Sequence, residues 1–158
     1  MKIMKFIGPL ILVSLLAALD QWSKHLAATY LLGQPAVVLL PNILSLTYHI
    51  NPGAAFGLFA GGRWFFLAFA LLVMIAIAVY YIRLPKGRIY NFIRFFLLLI
   101  AAGGIGNSID RFLYGYVIDF LKFDFINFPI FNIADIYVVT GTVLLGIVVV
   151  FFVKDEKE

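Results

Sequence analysis

The stretch 131–152, FNIADIYVVTGTVLLGIVVVFF, decides how the chain is to be read. From Ile136 onward it carries no charge and is long enough to cross a bilayer, because a helix rises ~1.5 Å per residue and ~20 apolar residues span the hydrocarbon. Its opening is different: Asn132 and Asp135 sit at the mouth of an otherwise apolar helix, where a carboxylate is costly unless something satisfies or uses it. Capping is one local answer. Asn132 at the N-cap with an acid three residues later has the form of a capping box, and negative charge is favoured at the positive end of a helix. Capping gives no reason, however, for Asp119. That carboxylate lies upstream in GYVIDF (115–120), an apolar stretch with no basic residue adjacent to it.

Working outward, the whole chain shares the character of its last helix. It has 158 residues, of which 64% are hydrophobic and only 13% charged. A soluble domain is nearer half apolar and a quarter charged, so the chain reads as an integral membrane protein. The expected fold is an all-α membrane protein in one domain, 1–158, with no polar linker to divide it. Its four transmembrane helices fall at about 4–32, 64–82, 92–114 and 134–153. A small external β-sheet is expected between the first two spans, in about 36–62. There, in LSLTYHIN (44–51), Leu44, Leu46, Tyr48 and Ile50 alternate with polar residues, the period of an amphipathic strand. NPGAAFG (51–57) and Gly61-Gly62 supply turns, and the apolar face of the strand is expected to rest on the bilayer or the helices.

Lysine and arginine set the expected orientation. Lys2 and Lys5, then Arg83, Lys86, Arg88 and Arg94, then Lys154 and Lys157 are eight of the twelve basic residues and fall on one side of the spans. The positive-inside rule makes that side cytoplasmic and puts both termini there. The N-terminal MKIMKFIGPLILVSLLAALDQ resembles a signal peptide, but the apolar helix continues beyond it and three more spans follow, so it is expected to be retained as the first span. With no cysteine there is neither a disulfide framework nor a thiolate nucleophile. The scattered basic residues form no nucleic-acid surface. His25 and His49 are too few for a histidine metal cluster and have no serine partner that would suggest a Ser-His-Asp triad.

With that orientation, polar residues gather at one depth. Asp20, Asp110, Asp119, Asp124 and Asp135 are five of the eight acidic residues, and all lie at or near the expected outer boundary. Asn51, Asn107, Arg111 and Asn132 fall at the same level. Asp20 and Lys24 are spaced i, i+4 for an ion pair. Asn107 and Arg111 share a helix face, flanked by Asp110. Gly103, Gly104, Gly106 and Ser108 have the spacing of close helix contact rather than of a phosphate loop. A proton relay or transporter would spread its carboxylates through the bilayer depth. A membrane scaffold would need no such cluster. Two carboxyls facing each other across a water cannot both ionise cheaply, and this is the chemistry of aspartic-type hydrolysis.

Four blocks then match a known family in order and spacing: DQWSK (20–24), NPGAAFG (51–57), GGIGNSIDRFLYGYVIDF (103–120) and FNIAD (131–135). Together with the four-span layout, the chain resembles lipoprotein signal peptidase (signal peptidase II), the bacterial membrane aspartic peptidase. The resemblance implies that Asp119 and Asp135 form a catalytic dyad without metal or cofactor. It implies that Asp20, Lys24, Asn51, Gly53, Asn107, Asp110, Arg111, Asn132 and Ala134 shape the site or bind substrate, Arg111 and Asn51 through the substrate backbone. It further implies a lipid-modified prolipoprotein and membrane lipid as partners, cleavage on the amino side of a diacylglyceryl cysteine, and a monomer in the bacterial cytoplasmic membrane with its site near the outer face.

Overall fold

The computed structural model describes residues 4–53 and 61–153. Among the described residues seven elements follow in chain order: α1 (Met4–Tyr30), β1 (Val37–Leu40), β2 (Leu44–Asn51), α2 (Arg63–Arg83), α3 (Arg88–Tyr114), β3 (Val117–Phe123) and α4 (Ile133–Phe151). All four helices are long and apolar enough to cross a membrane. Each occupies one of the four stretches expected to span. Of the turn expected over 51–57, residues 54–57 lie outside the described residues, as do Lys2, Lys154 and Lys157.

The third helix is the hub, packing against α1, α2 and α4. Its buried positions include Ile93, Phe96, Leu97, Gly103, Gly106 and Asp110, a stripe at helical spacing that turns from apolar to small to acidic. The small section lets backbones approach. A Cβ on Gly103 would collide with the Ala134 carbonyl and come 2.7 Å from Val138 Cγ2 on α4. One on Gly106 would stand 2.5 Å from Asp20 Oδ2 and 3.2 Å from the Ala134 Cβ. Gly104 faces away, toward α2, with Met74 Sδ 3.8 Å off. By contrast α2 buries no residue. It leans on α3 and turns Leu71, Leu72, Ile75 and Ile82 outward, as a lipid-facing helix should. Arg63 at its start donates to the Phe112 carbonyl, tying it to the end of α3.

The sheet is larger than the sequence pattern alone suggests. It has three antiparallel strands in the order β1-β2-β3, and the third comes from the connection between α3 and α4. Gly115, at φ 84°, ends α3 in the left-handed region and donates its N–H to the Arg111 carbonyl, which turns the chain sharply into β3. The strand expected at 44–51 forms as β2, but its alternation is interrupted. Leu46 pairs with Leu121 whereas His49 pairs with Asp119, so β2 carries one extra residue between them. Leu46 and Tyr48 pack with Ala27 and Leu31 of α1 and with Ile118 and Phe120, while Ile50, past the bulge, is exposed. Ser45, expected on the polar face, is buried and donates to Asp124 Oδ1 at 3.0 Å.

Two neighbouring glycines should therefore answer differently to the same change. Gly103→Ala must push α4 away and is expected to destabilise by ~1–3 kcal/mol, the usual cost of overpacking. Gly104→Ala meets only ordinary van der Waals contact with Met74 Sδ and gains up to ~1 kcal/mol of helix propensity. Thermal unfolding of both variants in detergent should show a lower Tm for the first only.

Candidate active site

The local chain path explains how residues far apart in sequence come together. After β3 the chain loops back, and Phe131 pairs with Leu121: Leu121 N donates to Phe131 O at 2.8 Å and Phe131 N to Leu121 O at 3.0 Å. The next residue, Asn132, is the N-cap of α4, so this helix necessarily starts beside β3. The capping box expected from the sequence is present. Asn132 Oδ1 accepts from Asp135 N at 3.0 Å, and Asp135 Oδ2 accepts from Asn132 N at 3.2 Å. The cap leaves the Asn132 amide NH2 free to point back, and it donates to Asp119 Oδ1 at 2.6 Å. One asparagine therefore fixes both aspartates.

The bulge in β2 completes the hold on Asp119. Asn51 pairs with Val117, two residues from Asp119 and so on the same face of the sheet. If β2 kept the register of Leu46–Leu121, Asn51 would fall opposite Tyr116 and face the other way. With the extra residue, Asn51 Nδ2 donates to Asp119 Oδ2 at 2.9 Å and its Oδ1 accepts from Gly53 N at 3.0 Å. Arg111 Nη2 in turn donates to the Gly53 carbonyl at 3.0 Å, and its guanidinium lies 4.7 Å from the centre of the Phe66 ring. Asn51 thus commits one of its two amide N–H groups to the Asp119 carboxylate.

On the helix side, Asn107 Nδ2 donates to Asp135 Oδ1 at 2.8 Å. Its Oδ1 accepts from Lys24 Nζ at 2.9 Å, and because an ammonium can only donate, this fixes which way the Asn107 amide faces. Lys24 is 2% exposed and also contacts Asp20 Oδ2 at 2.8 Å and Asp110 Oδ2 at 3.1 Å. The expected i, i+4 pair is present and extends to a second acid on α3. Both acids accept backbone N–H groups as well: Ala134 N donates to Asp20 Oδ1 at 2.9 Å, and Ile118 N to Asp110 Oδ2 at 3.1 Å. Ala134 is fully buried against Gly106, where a larger side chain would not fit.

Of the five acids expected at this level, Asp20, Asp110, Asp119 and Asp135 join one network and Asp124 does not. Asp124 lies beyond the site, where the hydrogen bond from Lys122 holds its carboxyl below the usual range. Sequence reasoning passed over Gln21, which sits inside the DQWSK block. Its Nε2 donates to Asp110 Oδ1 at 2.8 Å and to the Gly106 carbonyl at 3.1 Å, and lies 3.3 Å from Asp20 Oδ2.

Asp119 and Asp135 both line a cavity of about 420 Å³ together with Asn51, Asn107 and Arg111. Most of the remaining wall is apolar, with Phe123 from the end of β3, Phe128 and Phe131 from the returning loop, and Ile136 and Val139 from α4. Asp119 is 1% exposed. Burial first, and then the Asp135 carboxylate, push its carboxyl up to about 7. A carboxyl that exchanges its proton near neutral pH beside a second carboxylate is equipped for paired acid–base chemistry.

A family model described as signal peptidase (SPase) II matches residues 12–151. The chain belongs to the signal peptidase II family. It is 38% identical over 143 residues to a lipoprotein signal peptidase of Caldanaerobacter subterraneus subsp. tengcongensis, covering 90% of this chain and 95% of that one. It is 45% identical over 134 residues to one from Streptococcus pyogenes serotype M6, covering 84% and 86%. Among solved structures, a bacterial membrane enzyme determined by the in meso method at 1.9 Å superimposes with a TM-score of 0.82. That pair shares 33% identity, with 93% of this chain and 96% of the other covered. Signal peptidase II membership makes the chain a multi-pass membrane protease. The described residues of the four blocks seen in the sequence contribute to the network around the cavity.

The raised Asp119 also has a cost in stability, with a definite sign. Between about pH 4 and 7 the folded chain keeps a proton that the unfolded chain has lost. Stability from this group is therefore full below the unfolded pKa and falls as pH rises through about 7, by as much as ~4 kcal/mol. Asp119→Asn removes the titration. Its Tm in detergent should rise relative to wild type by several degrees between pH 5 and pH 8, and a constant difference would rule out the raised carboxyl.

Proposed function

We propose that the protein is an aspartic endopeptidase that removes the signal peptide from diacylglyceryl-modified prolipoproteins, cutting on the amino side of the lipidated cysteine. The observation that carries the reading is the shared cavity. Two carboxyls from different elements face it, and each is held by side-chain amides that only donate toward it. The polar end of the cavity suits a peptide bond. Its apolar wall of Phe123, Phe128, Phe131, Ile136 and Val139 suits a substrate that arrives from lipid.

In this mechanism a water sits between the carboxyls, which share one proton. Asp119 carries the shared proton and its partner carboxylate takes one from the water as the oxygen attacks the scissile carbonyl carbon. Asp119 protonates the carbonyl oxygen, giving a neutral tetrahedral diol. Collapse returns a proton to the cysteine nitrogen, breaks the C–N bond and leaves a signal-peptide carboxylic acid and the free amine of the lipidated cysteine. Arg111 spends two of its five N–H groups on the Gly53 and Asn107 carbonyls and can offer others to a substrate carbonyl. Asn107 and Asn132 keep the dyad aligned. The distribution of Lys and Arg supports an orientation with the sheet end of the bundle outside and both termini in the cytoplasm. That is where a diacylated cysteine anchored in the outer leaflet would present its peptide bond, to a monomeric enzyme in the bacterial cytoplasmic membrane.

The test is conversion of a lipid-modified precursor by purified protein in detergent. Asp119→Asn and Asp135→Asn should each reduce cleavage by ~10³-fold or more while keeping the protein folded. Wild-type cleavage by either variant would end the dyad reading. Activity of the native chain should decline as pH rises through about 7, as Asp119 loses its proton, and a level profile from pH 5 to 10 would contradict the mechanism.

A further inference from the structure

Each of the two proposed catalytic aspartates is preceded by a residue whose backbone N–H is docked on a buried acid. Ala134, just before Asp135, donates to Asp20, and Ile118, just before Asp119, donates to Asp110. The two acids come from α1 and α3, and they are joined by two side chains of a single helical turn of α1. The Lys24 ammonium bridges their Oδ2 atoms. The Gln21 amide reaches Asp110 Oδ1 and approaches Asp20 Oδ2, while also binding the Gly106 carbonyl. Neither Gln21 nor Lys24 lines the cavity. The path from one catalytic residue to the other therefore runs Asp135, Ala134 N–H, Asp20, the α1 turn, Asp110, Ile118 N–H, Asp119.

We infer that Gln21 and Lys24 form a spacer that sets the separation of the dyad from behind, as positioning residues that never touch substrate. The inference rests on the dyad reading above and adds residues to it. Physically, a carboxylate dyad needs a fixed gap, wide enough for one water and narrow enough to share one proton. The helix cap and the sheet each orient one aspartate, and Asn132 joins them across the front. The Asn132 amide and the Phe131–Leu121 backbone bridge hold α4 to β3 on that side, and the hold from behind comes through α1. The rear clamp closes a ring, with both backbones held at the residue next to the reacting group.

Gln21→Met keeps the length of the side chain, removes the amide and changes no charge. With the clamp loosened, the carboxyls part. The fall expected in kcat per folded enzyme is about tenfold or more with KM within about a factor of two, since small misplacements at a reacting centre cost up to ~10²-fold. The pH limb should also move. The groups acting on Asp119 are Asp135 of α4, Lys24 of α1, Arg111 of α3 and the Asn51 and Asn132 amides, and His49 stands opposite it in the β2 ladder. Of these, the Asp135 charge raises it. As the carboxyls separate that influence weakens, so the upper limb of the kcat/KM profile should shift to lower pH by about half a unit or more. Gln21→Asn, too short to reach Asp110, should act in the same direction and serves if the methionine variant does not fold. A lower Tm with unchanged kcat per folded enzyme and an unmoved limb would reduce Gln21 to a packing residue and overturn the inference. Asp119→Asn run alongside separates the two claims: if it is inactive while Gln21→Met is unaffected, the spacer fails and the dyad stands.

Discussion

The Lys24 ammonium between Asp20 and Asp110 is the interaction on which the rest of the structure depends. Three charged side chains lie almost fully buried in a chain that is otherwise strongly apolar. Taking such groups out of water is expensive, and only a complete set of partners makes it tolerable. Lys24 has three protons and meets three acceptors, the two acids and the Asn107 carbonyl oxygen. The acids fill their remaining oxygens with Gln21 and with backbone N–H groups of β3 and of the first turn of α4. A polar core of this kind contributes less through net attraction than through the heavy penalty of any other arrangement. Removing one member strands the others without solvent. That penalty locks α1, α3, the sheet and α4 into one relative geometry at one end of the bundle.

The two aspartates reach the cavity by different structural routes, and this difference shapes their environments. Asp135 belongs to a helix start and does two jobs with one carboxylate. Its Oδ2 closes the capping box while Oδ1 takes the Asn107 amide. Asp119 belongs to a strand that a β-bulge has brought into register with Asn51. A bulge next to a site is a common means of re-aiming a side chain. Here it is the difference between Asn51 facing Asp119 and facing away. The capping explanation of Asp135 and its proposed catalytic role are thus compatible: a rigid cap is also a rigid mount.

Much of this was legible in the sequence because lipid is an unforgiving solvent. Four apolar runs could only be spans, and helices are the only open-ended elements that satisfy their backbone there. The capping box at Asn132–Asp135, the Asp20–Lys24 spacing and the small-residue run at 103–108 all rest on local periodicities that tertiary structure had no reason to override. The third strand was not legible. VIDFLKF (117–123) follows a long helix, and only its pairing with β2 makes it a strand. Nor was the bulge, since the alternation of 44–51 is unbroken in the letters and breaks only against its partner. Gln21 was hidden for a related reason. A glutamine beside an aspartate carries no pattern, and its meaning depends on Asp110, far along the chain.

The glycines of α3 connect that polar core to the bilayer. Where α3 crosses α4, a side chain at 103 would strike the Ala134 carbonyl, the backbone next to Asp135. Where it passes α1, one at 106 would displace Asp20 itself. Close approach is therefore a requirement of the polar network and not only of helix association. Asp20 can accept the Ala134 N–H only because no Cβ stands between the helices. In membranes, where apolar packing has no hydrophobic advantage over lipid, small residues usually mark van der Waals contact. In this protein the same stripe brings the start of α4 within hydrogen-bonding distance of a buried acid. The precision of the site at the sheet end is thus set in part by residues that have no side chain.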